Sequence, residues 1–308
     1  MSDWRSLVEE IRSDSRSGAT ALLRRAAVAL ELAVEAAEAE GRALRGELRQ
    51  AARAVASVRP AMGAMCRLAS VALAALDKAA TDTDAAARVR AALGRFMRRV
   101  ERDAPWIAAR ASGLLQEREV VVTISASSLV ERTLVAAAAK GRTAVAVCLE
   151  SRPALEGVPL AARLAAAGLE VTVVSDAAGA RVVARAQLVL VGADTLSPSG
   201  VIHKMGTLGL ALAARHYGVP IHALCGQEKW LPAPLLGALA DAGPPGELLP
   251  DSAPGLEADN RYFDQTPLEL IDGVVGPRHI YPGPAVAALT RRVAIHPALA
   301  DLLEPTQE

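Results

Sequence analysis

The sequence of 308 residues has few aromatic side chains, since Phe, Trp and Tyr together make up 3% of it. Hydrophobic residues nevertheless reach 52%, so alanine, leucine and valine must form the core. These side chains favour helices and buried parallel strands over an all-β sandwich. We therefore expect an α/β protein.

The sequence also has few cysteines. Cys66, Cys148 and Cys225 are scattered along the chain, with no spacing typical of a metal site or of a disulfide framework. We expect three buried thiols in a reducing cytoplasm and no bound metal.

Neither charge sign predominates, because Lys+Arg and Asp+Glu number 34 each. This balance gives no reason to expect direct binding to nucleic acid or to an anionic membrane. No apolar run reaches the roughly 18 residues that a membrane helix needs. The first residues, MSDWRSLVEEIRSD, are charged and amphipathic, so we expect no signal peptide and a cytoplasmic protein.

Several nucleotide and nucleophile motifs are missing as well. The glycines form neither the dinucleotide fingerprint GxGxxG nor the phosphate loop GxxxxGK[ST]. No GxSxG elbow is present, which argues against a serine hydrolase. We expect no cofactor.

Residues 1–118 have the periodicity of helices. Apolar residues recur at intervals of three and four, with Arg and Glu between them, as at Leu22, Leu23, Ala26, Leu30 and Val34. We expect a helical N-terminal domain over 1–118, interrupted at Pro60 and Pro105. Thr81 and Asp84 are candidate helix caps.

From Glu119 the pattern changes to short apolar strands that alternate with helices of about ten residues. The predicted strands cover 120–125, 143–150, 170–176, 187–194 and 220–226. This alternation predicts a Rossmann-like, doubly wound parallel sheet in a second domain over 119–308. We expect no antiparallel sheet within 119–276, and a surface excursion over the Pro/Gly-rich segment 230–255.

The stretch GADTLSPSGVIHKMGT, residues 192–207, places an acid and a base on two arms of a turn behind a buried strand. Asp194 closes the strand, at the edge where α/β sheets bind ligands. Lys204 and the amides at Gly206 and Thr207 are suited to a phosphate, and Asp194 to sugar hydroxyls or to proton transfer. The alternative is a turn-capping Asp194 and a solvated Lys204.

Short motifs in the second part of the chain resemble one family in their order. The family contains the regulatory (alpha, beta, delta) subunits of eukaryotic translation initiation factor 2B. It also contains the isomerases of ribose 1,5-bisphosphate and of methylthioribose 1-phosphate. The motifs are SSLVERTL (127–134), ESRPALEG (150–157), VGAD (191–194), GVIHKMGT (200–207), QEKW (227–230) and FDQTPLELI (263–271).

The resemblance implies roles for individual residues. Asp194 matches the catalytic aspartate of the isomerases. Lys204, Lys229 and Arg59 match residues that bind the phosphorylated ligand, and Gly18 lies in the segment RSGA that corresponds to their phosphate loop.

Four departures from the isomerase pattern affect the chemistry, and one of them is Ile124, which stands where the family has a histidine. The catalytic cysteine of the family is Ser125 here, and a serine hydroxyl exchanges protons poorly without an activated base. The family's asparagine before the lysine is His203. In the phosphate loop, Ser17 stands where the family has arginine, and Arg16 is displaced by one position.

Two functions follow from the resemblance. The preferred hypothesis is an initiation factor 2B-like protein that binds a phosphorylated sugar or nucleotide without turnover. The alternative is an aldose–ketose isomerase, an intramolecular oxidoreductase that opens a ribose phosphate and moves a proton from C2 to C1. In both cases the resemblance implies a homodimer formed by the C-terminal domain. The expected interface consists of apolar residues past 200 outside the predicted strands, including the stretch Trp230–Leu239.

Overall fold

The computed structural model describes residues 3–14, 17–40, 43–117, 119–142, 145–251 and 253–305. Its first part is helical. The helices are α1 (Trp4–Ser13), α2 (Ala19–Glu40), α3 (Leu44–Ser57), α4 (Gly63–Asp77) and α5 (Asp82–Ser112). Within these described ranges, no helix is both long and apolar enough to cross a membrane.

The helices end and begin largely where local sequence signals place them. Pro60 lies between α3 and α4, and the Thr81 hydroxyl accepts a hydrogen bond from the Asp84 amide at the start of α5 (3.2 Å). The predicted interruption at Pro105 is wrong, since α5 continues through it. Ile107, beyond the proline, is buried against the sheet, and this packing holds the helix together despite the lost backbone hydrogen bond.

The second part alternates strands with helices. The strands are β1 (Val120–Thr123), β2 (Val145–Leu149), β3 (Val171–Val174), β4 (Leu188–Val191), β5 (Thr195–Ser197), β6 (Gly200–Lys204), β7 (Ile221–Leu224), β8 (Phe263–Thr266), β9 (Gly273–Val275) and β10 (Ile280–Tyr281). The helices are α6 (Ser128–Ala138), α7 (Gly157–Ala166), α8 (Gly179–Val183), α9 (Thr207–Tyr217) and α10 (Gly283–Thr290).

The main sheet has the order β10-β9-β7-β4-β1-β2-β3. All neighbouring pairs from β3 to β9 are parallel, and β10 is antiparallel at the edge. The prediction of a helical region followed by a doubly wound parallel sheet is therefore confirmed. The strand order reverses between β1 and β4, and ligands of such sheets bind at the carboxyl ends beside this reversal.

The expectation that residues 119–276 hold no antiparallel sheet is wrong. A second, three-stranded sheet has the antiparallel order β5-β6-β8. A turn at Pro198 and Ser199 folds β5 back onto β6, and β8 arrives from about 60 residues further along the chain. This small sheet carries His203 and Lys204 to the edge of the main sheet.

The predicted surface excursion over 230–255 is wrong for its first part. Trp230, Leu231 and Leu235 are buried, and the two leucines pack into the core of the N-terminal helices. Residues 239–251 and 253–259 are exposed or half-buried, as expected. Trp230, Leu231 and Leu235 thus already have partners within the chain, whereas Leu236 of the same stretch is 52% exposed.

Candidate functional site

The site lies at the carboxyl edge of the central strands. Asp194 follows β4 by three residues and Ser125 follows β1 by two, and these strands are neighbours in the sheet. Ser127, the N-terminal cap of α6, lies against Gly192, where an added Cβ would be 2.9 Å from the serine Oγ. The loops after β1 and β4 therefore meet in one crevice.

The N-terminal helices complete this crevice through the segment before α4. The Gly63 amide donates to the Asp194 carbonyl (3.1 Å) and to the Thr195 hydroxyl (2.7 Å), and that hydroxyl donates to the Ala61 carbonyl (2.8 Å). A side chain at Gly63 would have its Cβ 2.8 Å from Thr195 Oγ1, too close for any residue but glycine. Both halves of the protein are thus joined next to Asp194.

Asp194 is a carboxyl group whose surroundings favour its neutral form. Desolvation by the surrounding protein is the largest influence and raises the pKa of Asp194 above its ordinary value. The ammonium of Lys229 opposes this rise, Glu156 adds to it, and Lys204 opposes it. The net direction is upward, as proton transfer near neutral pH requires.

Lys204 is buried and already has a partner. Its side chain is 3% exposed, and Nζ donates to Glu156 Oε1 (3.0 Å) and lies 5.1 Å from the centre of the Tyr262 ring. The alternative of a solvated Lys204 is therefore wrong. The charge of Glu156 offsets that of Lys204, which weakens the influence of this lysine on Asp194.

Glu156 is a site residue that the sequence analysis missed, although it lies in the quoted motif ESRPALEG. Its Oε2 atom is buried and has no hydrogen-bond partner within the described residues. A buried carboxylate oxygen without a hydrogen bond destabilises the folded protein unless a ligand hydroxyl or amide donates a hydrogen bond to it. Its position just before a helix was the available signal, but the 48 residues that separate it from Lys204 concealed the pairing.

Lys229 approaches the same crevice from the turn after β7. Its Nζ donates to the carbonyl of Ala193, the residue before Asp194. An ammonium has three donors, so this bond leaves Lys229 able to bind a ligand anion as well. The structure therefore places Lys204 and Lys229 near enough to Asp194 to lower its pKa.

His203 is neutral and presents an acceptor to the crevice. Burial, followed by the charges of Lys229 and Lys204, lowers the pKa of His203 to about 3. The Thr207 hydroxyl donates its proton to the Lys204 carbonyl (2.6 Å), so His203 Nδ1, 3.0 Å away, must donate to Thr207. Nε2 is then unprotonated, and it points towards Gly192, where an added Cβ would lie 2.8 Å from it.

The helix start after Lys204 is not open to a phosphate, contrary to the expectation for Gly206 and Thr207. The amides of Gly206 (2.8 Å) and Leu208 (3.1 Å) both donate to Asp264 Oδ2. Desolvation raises the pKa of Asp264 to about 6, although these amides lower it. The carboxylate of β8 thus takes the place that the sequence assigned to a ligand.

Arg59 lies at the junction of the two halves. Its guanidinium donates to the carbonyls of Ile11 and Asp14 and lies 3.6 Å from the Asp241 carboxylate. These contacts hold the segment that leads to the exposed Gly18, at the start of α2. Arg16 lies outside the described residues.

Ser125 has a constrained backbone rather than an activated hydroxyl. Its φ of 65° lies in the left-handed region, and its amide donates to Ser151 Oγ (2.7 Å), beyond β2. No hydrogen bond within the described structure joins the Ser125 hydroxyl to a base. Among the three buried cysteines, Cys225 is electrostatically coupled to Asp194, but burial raises its pKa to about 12, so the thiol stays protonated.

No cluster of three or more His, Cys, Asp or Glu side chains in the described ranges is arranged to hold a metal ion. The crevice offers a carboxyl group with a raised pKa, two lysines, a neutral imidazole and the side chain of Glu156. Such groups can bind phosphates and hydroxyls, and a carboxyl group can transfer protons.

The chain matches the Initiation factor 2 subunit family over residues 15–278. It is 30% identical to a ribose 1,5-bisphosphate isomerase of Haloterrigena turkmenica over 301 residues, which cover 92% of this chain and 92% of that protein. A methylthioribose-1-phosphate isomerase of Gemmatimonas aurantiaca is 36% identical over 149 residues, 46% of this chain and 42% of that protein.

A solved structure shows the same fold. The translation initiation factor eIF-2B of Pyrococcus horikoshii OT3 has a TM-score of 0.78 at 23% identity, over 91% of this chain and 97% of that chain. The sequence match extends from the loop before α2 to beyond β9, so it includes both the helices and the crevice. This chain belongs to the Initiation factor 2 subunit family.

Proposed function

We propose that this protein is an aldose–ketose isomerase of a phosphorylated ribose, with ribose 1,5-bisphosphate as the substrate to test first. The observation that carries the proposal is the buried carboxyl group of Asp194 at the carboxyl edge of the sheet, beside β1 and the turn of Lys229; desolvation raises its pKa, although Lys229 and Lys204 lower it. An ionised, lysine-paired aspartate would only orient hydroxyls, whereas a protonated one donates and recovers protons. The isomerase names of the relatives support the same choice.

The reaction needs a group that gives and takes protons in turn. As the bond between C1 and the ring oxygen breaks, its electron pair leaves with the oxygen, which takes the proton of Asp194. The carboxylate then removes the proton from C2, giving an enol, and returns it to C1. Loss of the C2 hydroxyl proton to Asp194 forms the ketone and restores the carboxyl group.

The remaining residues bind and orient the substrate. Lys204 and Lys229 each keep donors free for phosphate oxygens, since each has one hydrogen-bond partner in the described structure. Arg59 and Gly18 are proposed for the second phosphate, together with Arg16, which lies outside the described residues. The bare Nε2 of His203 accepts a hydrogen bond from a sugar hydroxyl.

The second candidate function is binding of a sugar phosphate or nucleotide without turnover. Ser125 favours it, because the isomerases of this family have a cysteine there and no hydrogen bond among the described residues joins the serine hydroxyl to a base. An assay of the wild-type protein separates the two functions. We expect ribulose 1,5-bisphosphate to form from ribose 1,5-bisphosphate; tight binding with no product would reverse our choice.

Glu156→Gln is expected to shift the pH profile of turnover. The substitution removes a charge that raises the pKa of Asp194 and releases Lys204, which lowers it, so this pKa falls. The protonated form of Asp194 starts the reaction. As the pH rises, activity should therefore begin to fall at a lower pH in the variant than in wild type. Turnover measured across pH tests this, with the exposed Glu257→Gln as control. An unchanged pH profile of turnover would show that Glu156 does not influence the pKa of Asp194.

We further propose a homodimer formed by the C-terminal half. Val173 on the edge strand β3 is 44% exposed, and Leu212 on α9 is 53% exposed, so apolar surface remains there. A two-fold interface would cover it on both subunits. Light scattering at micromolar concentration should give twice the 32.0 kDa mass of the chain. A mass equal to that of one chain would contradict the proposed dimer.

A further inference from the structure

A pocket of about 320 Å³ borders the turn that carries Lys229, through Gln227. Three segments form it: α5, the turn Gln227–Lys229, and the residues that follow β9. Its volume is at the low end of the range for small-molecule sites, roughly 300–1,000 Å³. The lining residues are Arg99, Arg102, Asp103, Trp106, Gln227, Pro277 and Arg278.

The pocket carries an excess of positive charge. Arg102 donates through Nε (3.0 Å) and Nη2 (2.9 Å) to the buried carboxylate of Asp103, which fixes its guanidinium and neutralises it. Arg99 and Arg278 have no hydrogen-bond or ion-pair partner in the part of the chain that the structure describes. Two unpaired guanidinium groups from separate segments therefore border one concave surface, a combination suited to a dianion.

One wall of the pocket is formed by the exposed indole ring of Trp106. Trp106 is 62% exposed, whereas Trp4 and Trp230 are buried. An indole face held by a helix stacks against flat rings at little entropic cost. The opposite segment is held in place, because Arg110 on α5 donates to the Pro277 carbonyl (3.3 Å).

We propose that this pocket binds a small phosphate monoester joined to a flat ring, at a site separate from the crevice of Asp194. The two unpaired arginines bind the phosphate, which carries nearly two negative charges at neutral pH, and Trp106 stacks on the ring. A carboxylate with the same ring matches only half of the charge. Inorganic phosphate lacks the stacking partner.

The test is a titration followed by tryptophan fluorescence, in which Trp106 is the exposed reporter. Phenyl phosphate should quench the emission with saturation, and more tightly than benzoate or inorganic phosphate. Ribose 5-phosphate should compete only weakly, as inorganic phosphate does, since it has no flat ring. Binding of benzoate or of ribose 5-phosphate as tight as that of phenyl phosphate, or a quench without saturation, would each overturn the proposal. These outcomes do not depend on isomerase activity.

Variants identify the site. Arg278→Gln and Arg99→Gln should each weaken phenyl phosphate binding about tenfold, as loss of a charge-assisted hydrogen bond does. Arg98→Gln is the matched control, because Arg98 is an exposed arginine of the same helix that borders the neighbouring groove instead. Trp106→Phe should remove the quench. Equal affinities in the Arg278 and Arg98 variants would refute the site.

Discussion

Asp194→Asn should abolish the conversion of ribose 1,5-bisphosphate while leaving its binding nearly unchanged. The amide keeps the shape of the carboxyl group but can neither donate nor accept a proton near neutral pH. Loss of a general acid–base group typically lowers turnover by about 10²–10⁴-fold, and we expect the upper part of this range because Ser125 offers no substitute. Product formation and calorimetric binding to the same variant measure the two effects.

The control for this prediction is Asp251→Asn, which alters an exposed aspartate of the same charge. Its turnover should equal that of wild type. If Asp194→Asn kept more than a tenth of the activity, Asp194 could not be the proton carrier. Loss of binding together with turnover would instead make it a ligand-orienting residue, as in the hypothesis of binding alone.

Lys204→Met should lower both stability and ligand affinity. The substitution leaves the Glu156 carboxylate without its partner, and breaking a buried pair costs about 3–5 kcal/mol. Glu156 is 28% exposed, so solvent screening reduces the expected loss to about 2–3 kcal/mol. Affinity for the sugar phosphate should fall about ten- to a hundredfold. Urea unfolding and calorimetry measure the two quantities.

The double variant Lys204→Met, Glu156→Gln distinguishes an unpaired charge from lost packing. If the unpaired carboxylate causes the loss, the double variant should be more stable than Lys204→Met alone. Lys78→Met, which alters an exposed lysine, should change stability by less than about 0.5 kcal/mol. A double variant no more stable than the single one would assign the loss to packing.

Local sequence patterns correctly predicted the parts of the fold that depend on residues close together in the sequence. The change from helical periodicity to alternating strands gave the helices and the parallel sheet, and the end of β4 placed Asp194 at the ligand-binding edge. The motif GVIHKMGT placed Lys204 near it. The division into domains at residue 118 stays a prediction, as does the role of each site residue.

The sequence alone could not predict the contacts between segments that are distant in the chain. Glu156 reaches Lys204 across 48 residues, and Asp264 reaches the Gly206 amide across 58. The burial of Leu231 among the N-terminal helices is of the same kind. Periodicity records which face of a segment is buried, but not which partner covers it. The pKa of Asp194 depends on desolvation and on the charges of Lys229, Glu156 and Lys204, so only the tertiary structure decided which charges surround it.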